Sequence, residues 1–460
     1  RNTTMKDNTA TPSSPFTIAK FGGTSVANFA AMEKCADIIL KQKSVRVVVL
    51  SASAGITNLL IELATGVEAT QRAALLAQVR DIEYAIINQL SQAEIISQEI
   101  NRLLENIEML SEAAALATSD ALTDELVSHG ELMSTLLFVE LLREKGISAD
   151  WFDVRKVMKT NDLFCHAEPD MAQLTELTQS LIQPRLTETV IVTQGFIGQE
   201  PKGKTTTLGR GGSDYTAALI GEALGMSRVD IWTDVPGIYS TDPRIVPQAH
   251  RIDHIAFDEA AEMATFGAKI LHPATLLPAV RSGIPVFVGS SKAPEEGGTL
   301  VCAQTDNPPV FRAIALRRNQ TLLTLHSLKM LHARGFLAEI FTILSRHHIS
   351  VDVITTSEVS IALTLDTTGT TSSSGSLLTN ALLTELSALC RVEVEEDLAL
   401  VAIIGNSLSQ VNGLGSQIFG TLEDYNIRMI SHGASTHNLC LLVDGKDADN
   451  IVRKLHDTLF

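Results

Sequence analysis

The sequence predicts an α/β protein: a three-layer αβα domain with a mainly parallel sheet, followed by two small β-α-β-β-α-β units. Three observations predict it. From Thr17 to about residue 290, short Val/Ile-rich runs alternate with helical stretches. Those runs show little period-two alternation, as expected of strands covered on both faces. Past a Pro-, Gly- and charge-rich stretch at 292–309 (KAPEEGGTLVCAQTDNPP), the units shorten and then repeat.

The elements follow in order. Residues 1–15 (RNTTMKDNTATPSSP) read as a flexible polar leader without the apolar region of a signal peptide. TIAKF (17–21) is the first strand candidate, and NFAAMEKCADIILKQ the first helix, with Phe29, Met32, Ala36 and Ile39 on one face. VRVVVLSAS (45–53) is the second strand, and a mostly helical region runs from about 70 to 145. TVIVTQGFIG (189–198), RVDIWTDV (228–235) and IPVFVG (284–289) complete the sheet. In open parallel sheets ligands gather at the carboxyl ends of strands. Lys20, residues 51–55, Gly195, Thr233 and Asp234 all fall at such ends.

The first domain is assigned to 16–305, and 306–320 to a linker and a strand, FRAIALRR (311–318). The first small unit, 321–397, reads TLLTLHS, helix GFLAEIFTILSRHH, ISVDVITTSE, VSIALTLD, helix LLTNALLTELSAL and CRVEVEED. The second, 398–460, reads LALVAIIG, helix QIFGTLEDYN, IRMISHGAS, HNLCLLVDG and helix DADNIVRKLHDTL. It lacks a last strand, which FRAIALRR can supply if the first unit is inserted within the second. The SSSGS run at 372–376 reads as a loop.

Composition narrows the function. A formal charge of −17 over 460 residues argues against a nucleic-acid or anionic-membrane partner, but not against an anionic metabolite. No apolar run reaches the length of a membrane span. Five scattered cysteines without CxxC pairing fit free thiols in a reducing cytoplasm.

Several stretches carry candidate chemistry, each beside a plainer reading. KFGGTSV puts Lys20 at a strand end before Gly22 and Gly23, either as an ordinary strand-to-helix turn or as a phosphate cradle. The lysine precedes its glycines, unlike the usual P-loop. GRGGSDYTAAL (209–219) places Arg210, Ser213 and Asp214 at a helix start, as caps or as an anion site. DIWTDVPGIYSTDPR (230–244) is a loop with two turns, or a nucleotide contact through Tyr239 and Arg244. FGAKILHP (266–273) offers Lys269, and LVSHGELMS (126–134) sets Glu131 in an apolar helix where a carboxylate needs a partner. His250 and His254 have HxxxH spacing without a glutamate between them, so no protein-borne metal site is expected.

With KFGGTSV, SASAGITN, GRGGSDYTA, WTDVPGIYSTDPR and FGAKILHP in this order, the chain resembles the aspartokinases of the amino-acid-kinase fold, across 17–460. The C-terminal pair resembles tandem ACT domains, ferredoxin-like amino-acid sensors. MLHARGFLAEIF and SVDVITTSE are similar to the lysine-sensitive monofunctional branch found in enteric bacteria. The resemblance implies transfer of the γ-phosphoryl of ATP, with Mg²⁺ carried by the nucleotide, to the side chain of L-aspartate, and feedback inhibition by L-lysine. It implies Lys20, Asp214 and Lys269 as catalytic residues. Thr57, Glu131, Phe196, Arg210 and Ser213 would hold aspartate. Lys20, Gly22, Gly23, Thr233, Asp234, Tyr239, Arg244 and Lys269 would hold ATP. Met330, His332, Gly335, Leu337, Ser350, Val351, Asp352 and Glu358 would hold the effector, and the ACT units would build a homo-oligomer. Another amino-acid kinase of this fold, and a non-catalytic sensor, are the competing readings.

Overall fold

The computed structural model describes residues 14–209, 211–267, 273–327, 334–366 and 378–460. The chain divides into two compact units. The first holds the chain up to Ile238, Arg251–Phe257 and the stretch ending at Thr305. The second holds Tyr239–His250, the stretch from Asp258, and Asp306–Phe460.

In chain order the first part of the molecule runs β1 (Thr17–Phe21), α1 (Phe29–Lys41), β2 (Val45–Leu50), α2 (Ile56–Ala64), α3 (Ala69–Ile87), α4 (Glu94–Leu116) and α5 (Asp120–Glu144). Then come β3 (Ala149–Phe152), α6 (Met171–Leu181), β4 (Val190–Gln194), β5 (Ile197–Gln199), β6 (Thr205–Thr207), α7 (Gly212–Ala223) and β7 (Arg228–Thr233). Short strands β8 (Ile238–Tyr239), β9 (Arg251–Ile252) and β10 (His254–Ala256) precede α8 (Phe257–Thr265). After it come α9 (Pro273–Ser282), β11 (Val286–Ser290) and β12 (Gly298–Cys302).

The eight-stranded sheet of the first unit has the order β10-β12-β11-β7-β1-β2-β4-β3. All pairings in it are parallel except β11 with β12. β1 lies at its centre and every residue of it is buried, which explains the unalternating TIAKF. α1 lays Met32, Ala36 and Ile39 on the core as its spacing predicts, with Phe29 half-buried. The sequence runs TVIVTQGFIG together as one strand. The structure breaks it into β4 and β5 at Gly195 and Phe196, where Phe196 takes a left-handed φ of 75°. β12 lies inside the Pro/Gly-rich stretch at 292–309 and pairs with β11. Only five residues long and bounded by turns, it has too short a pattern to stand out.

The second unit is built on two long antiparallel strands, β13 (Phe311–His326) and β16 (Arg391–Gly405). Between them lie α10 (Phe336–Arg346), β14 (Val351–Thr356), β15 (Ser360–Asp366) and α11 (Asn380–Ser387). After β16 come α12 (Leu414–Thr421), β17 (Ile427–His432), β18 (Asn438–Asp444) and α13 (Ala448–Leu459). The sequence treats each long strand as two; the structure makes each continuous. Residues 322–326 and 391–395 pair in the first half, beside β15 and β14. Residues 311–317 pair with 400–405 in the second, beside β18 and β17. Asn319 and Asp397, both at left-handed φ (57° and 59°), mark the change of register, a conformation that Asn and Asp tolerate better than other side chains. Each half has its own core. Leu323, Leu325, Ile340, Leu363 and Leu386 belong to the first, and Ile314, Val401, Ile403, Leu441 and Ile451 to the second. Val246, from Tyr239–His250, joins the second core.

Arg210, Lys269, Met330, His332 and the SSSGS run lie outside the described residues, as do residues 1–13 of the leader.

Candidate active site

β1 delivers Lys20 to the carboxyl edge of the sheet, buried to 9% exposure. Beneath it the floor is aromatic: Phe21 stacks on Trp232, with ring centroids 6.4 Å apart, and Trp232 meets Phe287 edge-on at 5.4 Å. A cation in that setting needs a counter-charge, and Asp214 supplies it, its Oδ1 2.8 Å from Lys20 Nζ. Asp214 stands in the first turn of α7, whose N-cap is Gly211 at φ 69°; no side chain caps the helix. The helix start therefore offers uncapped N–H groups and the positive end of a dipole.

The glycines are where backbone must come close. A Cβ on Gly22 would stand 3.3 Å from Lys20 Nζ, and one on Gly23 3.1 Å from the Ala52 carbonyl. Gly23 O accepts a hydrogen bond from Ala54 N (3.1 Å), which locks the FGGTS turn to the SASAG turn after β2. A Cβ on Gly195 would meet Ser213 Oγ at 2.5 Å, and one on Gly212 would meet the Phe196 ring at 2.4 Å. Close packing of these pairs brings the ends of β1, β2, β4 and β7 and the start of α7 to one place.

Glu131 closes the far side. It lies on α5 at 3% exposure, with Oε1 accepting a long bond from Ala52 N (3.4 Å) and Oε2 without a partner among the described residues. Burial drives its carboxyl up to about 8, and the backbone bonds only partly oppose that. A buried carboxyl with an idle oxygen has hydrogen-bonding capacity left for a further donor. The next residues of the helix hold the backbone around it: Ser134 Oγ donates to Ser51 O at 2.8 Å.

Thus Lys20, Gly22, Gly23, Glu131, Phe196, Ser213 and Asp214 line one region, with Thr57 half-buried in the first turn of α2. Thr233 ends β7, its carbonyl accepting from Ser291 N, and Asp234 beside it is exposed. Tyr239 and Arg244 belong to the second unit, where the exposed Arg244 is paired with Asp242 at 2.8 Å. Sequence reasoning missed Ala52, whose N–H faces Glu131, and the buried Ser25–Ser291 hydroxyl pair (2.6 Å) that fastens the FGGTS turn to the end of β11. Ala52 lies within SASAGITN and Ser25 within KFGGTSV, but neither an alanine N–H nor a serine hydroxyl signals a partner so distant in the chain. Among the described residues no group of three or more His, Cys, Asp or Glu is placed to hold a metal ion, and no helix is long and apolar enough to cross a membrane. All five cysteines are free.

In the second unit, Gly335 caps α10 at φ 83°, Leu337 and Ser350 are exposed, and Val351 begins β14. Asp352 is ion-paired with Arg317 at 3.0 Å, while Glu358 is exposed. The sequence reading leaves Asp352 free for a ligand; the structure gives it an internal partner.

The amino acid kinase family matches residues 15–290 and the ACT domain family matches 401–459. The lysine-sensitive aspartokinase 3 of Escherichia coli (strain K12) is 70% identical over 97% of this chain and 100% of its own length. The chain is an aspartokinase. The chloroplastic aspartokinase 2 of Arabidopsis thaliana is 35% identical, over 96% of this chain and 84% of its own. The crystal structure of E. coli aspartokinase III in complex with aspartate and ADP, described as the R-state, superposes with a TM-score of 0.87. It is 70% identical and covers 97% of this aspartokinase and all of its own chain. The same enzyme with lysine and aspartate, described as the T-state, superposes at 0.86 with 69% identity, over the same shares.

Proposed function

We propose that this aspartokinase transfers the γ-phosphoryl group of MgATP to the side-chain carboxylate of L-aspartate, giving 4-phospho-L-aspartate and ADP. The observation that carries the reading is the Lys20–Asp214 pair at the sheet's carboxyl edge, set at an uncapped helix start and accompanied by a buried, half-unpartnered Glu131.

The acceptor is ionised well below pH 7, at about 3.9, so the nucleophile needs no general base. What the reaction needs is neutralised charge and in-line alignment. Lys20 supplies the cation between the attacking carboxylate and the phosphates, and Asp214 holds its ammonium in place. The FGG turn brings backbone against the phosphates. Arg210 and Ser213 take the substrate α-carboxylate at the start of α7, and Glu131 takes the ammonium. Phe196 and Thr57 bound the pocket. Thr233, Asp234, Tyr239, Arg244 and Lys269 are assigned to the nucleotide, and Mg²⁺ enters as part of it.

Regulation is assigned to the ACT units. L-lysine carries two ammonium groups and one carboxylate, and Asp352 and Glu358 are the anions proposed to receive the ammoniums. Asp352 would exchange Arg317 for the ligand. Met330, His332, Gly335, Leu337, Ser350 and Val351 complete the proposed effector site. The same units are proposed to join copies of the chain into a homo-oligomer, expected in light scattering as a mass at least twice that of the chain.

An ADP-release assay across aspartate, glutamate, N-acetylglutamate and UMP tests the reading. Turnover with aspartate alone, suppressed by lysine, is expected. Turnover with another acceptor but not aspartate, or with none, refutes it.

A further inference from the structure

We propose that Asp124 is a positioning residue for the substrate amino acid, setting Gly209 and the start of α7 at Gly211–Ser213 at a fixed distance from Glu131. Asp124 lies in the first part of α5, seven residues before Glu131 on the same helix. Seven residues are nearly two turns and about 10 Å, so both carboxylates rise from one face of one rigid element.

Asp124 is buried at 1% exposure and is ion-paired with no cation among the described residues; its ligands are two separate pieces of chain. Oδ2 accepts from Thr207 N at 3.0 Å and from Cys165 N at 2.8 Å, while Oδ1 accepts from Thr207 Oγ1 at 2.9 Å. Thr207 is the last residue of β6, two positions before Gly209. Cys165, held at a left-handed φ of 70°, lies on the loop against which Gly209 rests: a Cβ there would be 3.4 Å from both Cys165 O and His166 Nδ1. A further bond, Ala167 N to Thr207 O at 2.9 Å, ties the loop to the strand. One carboxylate thus clamps the strand that leads into 209–213 and the loop that supports it. Leu208 N donates to Phe196 O at 2.9 Å, so the clamp continues into the residue packed against Gly212.

An amino-acid substrate is gripped at two ends, its carboxylate by 209–213 and its ammonium by Glu131. α5 then acts as the ruler between the two grips. The inference rests on that placement of substrate. It predicts that Asp124 governs the aspartate KM through spacing, without touching aspartate and without bearing on the nucleotide.

The test is steady-state kinetics on the full-length chain. Asp124→Ala should raise the aspartate KM about tenfold or more, the factor expected when one hydrogen bond to a charged ligand group is lost, with the ATP KM within about twofold. Asp124→Asn should restore the aspartate KM to within about threefold, because its oxygen can accept both N–H groups and its amide can donate to the Thr207 hydroxyl. Thr207→Val, which removes one bond and keeps the N–H, should give a smaller rise in the same direction and serves if the alanine variant does not fold. A parallel rise in both KM values, an unchanged aspartate KM in Asp124→Ala or, failing that, in Thr207→Val, or an Asn variant as poor as Ala would overturn the proposal. Glu131→Gln and Ser213→Ala, measured alongside, separate the two layers. If they raise the aspartate KM and Asp124→Ala does not, the ruler fails alone. If they leave it unchanged, the substrate placement fails and the ruler with it.

Discussion

The pH dependence of aspartate affinity follows from one buried carboxyl. Glu131 is pushed up to about 8 by burial, so it is mostly neutral at pH 7 in the free enzyme. The substrate ammonium prefers the ionised form, and binding must expel a proton. The apparent aspartate KM should then scale with the inverse of the ionised fraction of Glu131, roughly 1% at pH 6, 10% at pH 7 and half at pH 8. KM should fall about tenfold from pH 6 to 7, about fivefold from 7 to 8, and level off above. The assay is initial-rate ADP release at saturating MgATP between pH 6 and 8.5, where aspartate itself keeps its charges. Glu131→Gln should abolish the trend and raise KM at pH 8. A flat KM profile in the parent enzyme would refute the assignment of Glu131 to the ammonium.

Other outcomes follow from the same structure. Lys20→Ala should lower kcat by at least about 10²–10³-fold while circular dichroism stays unchanged, as removal of one group that stabilises transition-state charge does elsewhere; near-normal turnover would remove Lys20 from the chemistry. Glu83, on α3, is wholly buried, with both oxygens unpartnered among the described residues and its carboxyl driven up to about 8 by burial. Because the folded value is raised from 4.5, its stabilising share is present below about 4.5 and lost as pH rises through about 8, a total on the order of 5 kcal/mol. Glu83→Met should therefore raise Tm more at pH 8.5 than at pH 5, and an equal change at both values would count against this. Asp352→Asn should raise the lysine concentration for half inhibition at least tenfold if that carboxylate holds an effector ammonium, a contact between charged groups worth about 1.5–3 kcal/mol; an unchanged value would leave Asp352 as the partner of Arg317 alone.

Much of this architecture is legible in the sequence because local signals agree with the global fold. β1, β2 and β7 are buried along nearly their whole length, and the lack of period-two alternation that follows from burial on both faces makes them conspicuous. Lys20 stands out because a cation ends one of them, and Glu131 because a carboxylate interrupts an apolar helix face. The break at Gly195 and Phe196 is hidden because apolar residues continue through it; only the approach of Ser213 requires the glycine. The continuity of β13 and β16 is equally hidden. Their left-handed Asn319 and Asp397 look like turn residues, and pairing between distant strands overrides that local preference. Asp124 carries no motif, since its ligands are two backbone N–H groups and one hydroxyl brought to it by residues 41 and 83 positions away.

The most direct test is to trap the product. With ATP, aspartate and hydroxylamine, the enzyme should form aspartate β-hydroxamate in step with ADP, detected by mass spectrometry, and Lys20→Ala should form almost none. ADP release without hydroxamate, or a hydroxamate on the α-carboxyl, would contradict phosphoryl transfer to the side-chain carboxylate beside Lys20.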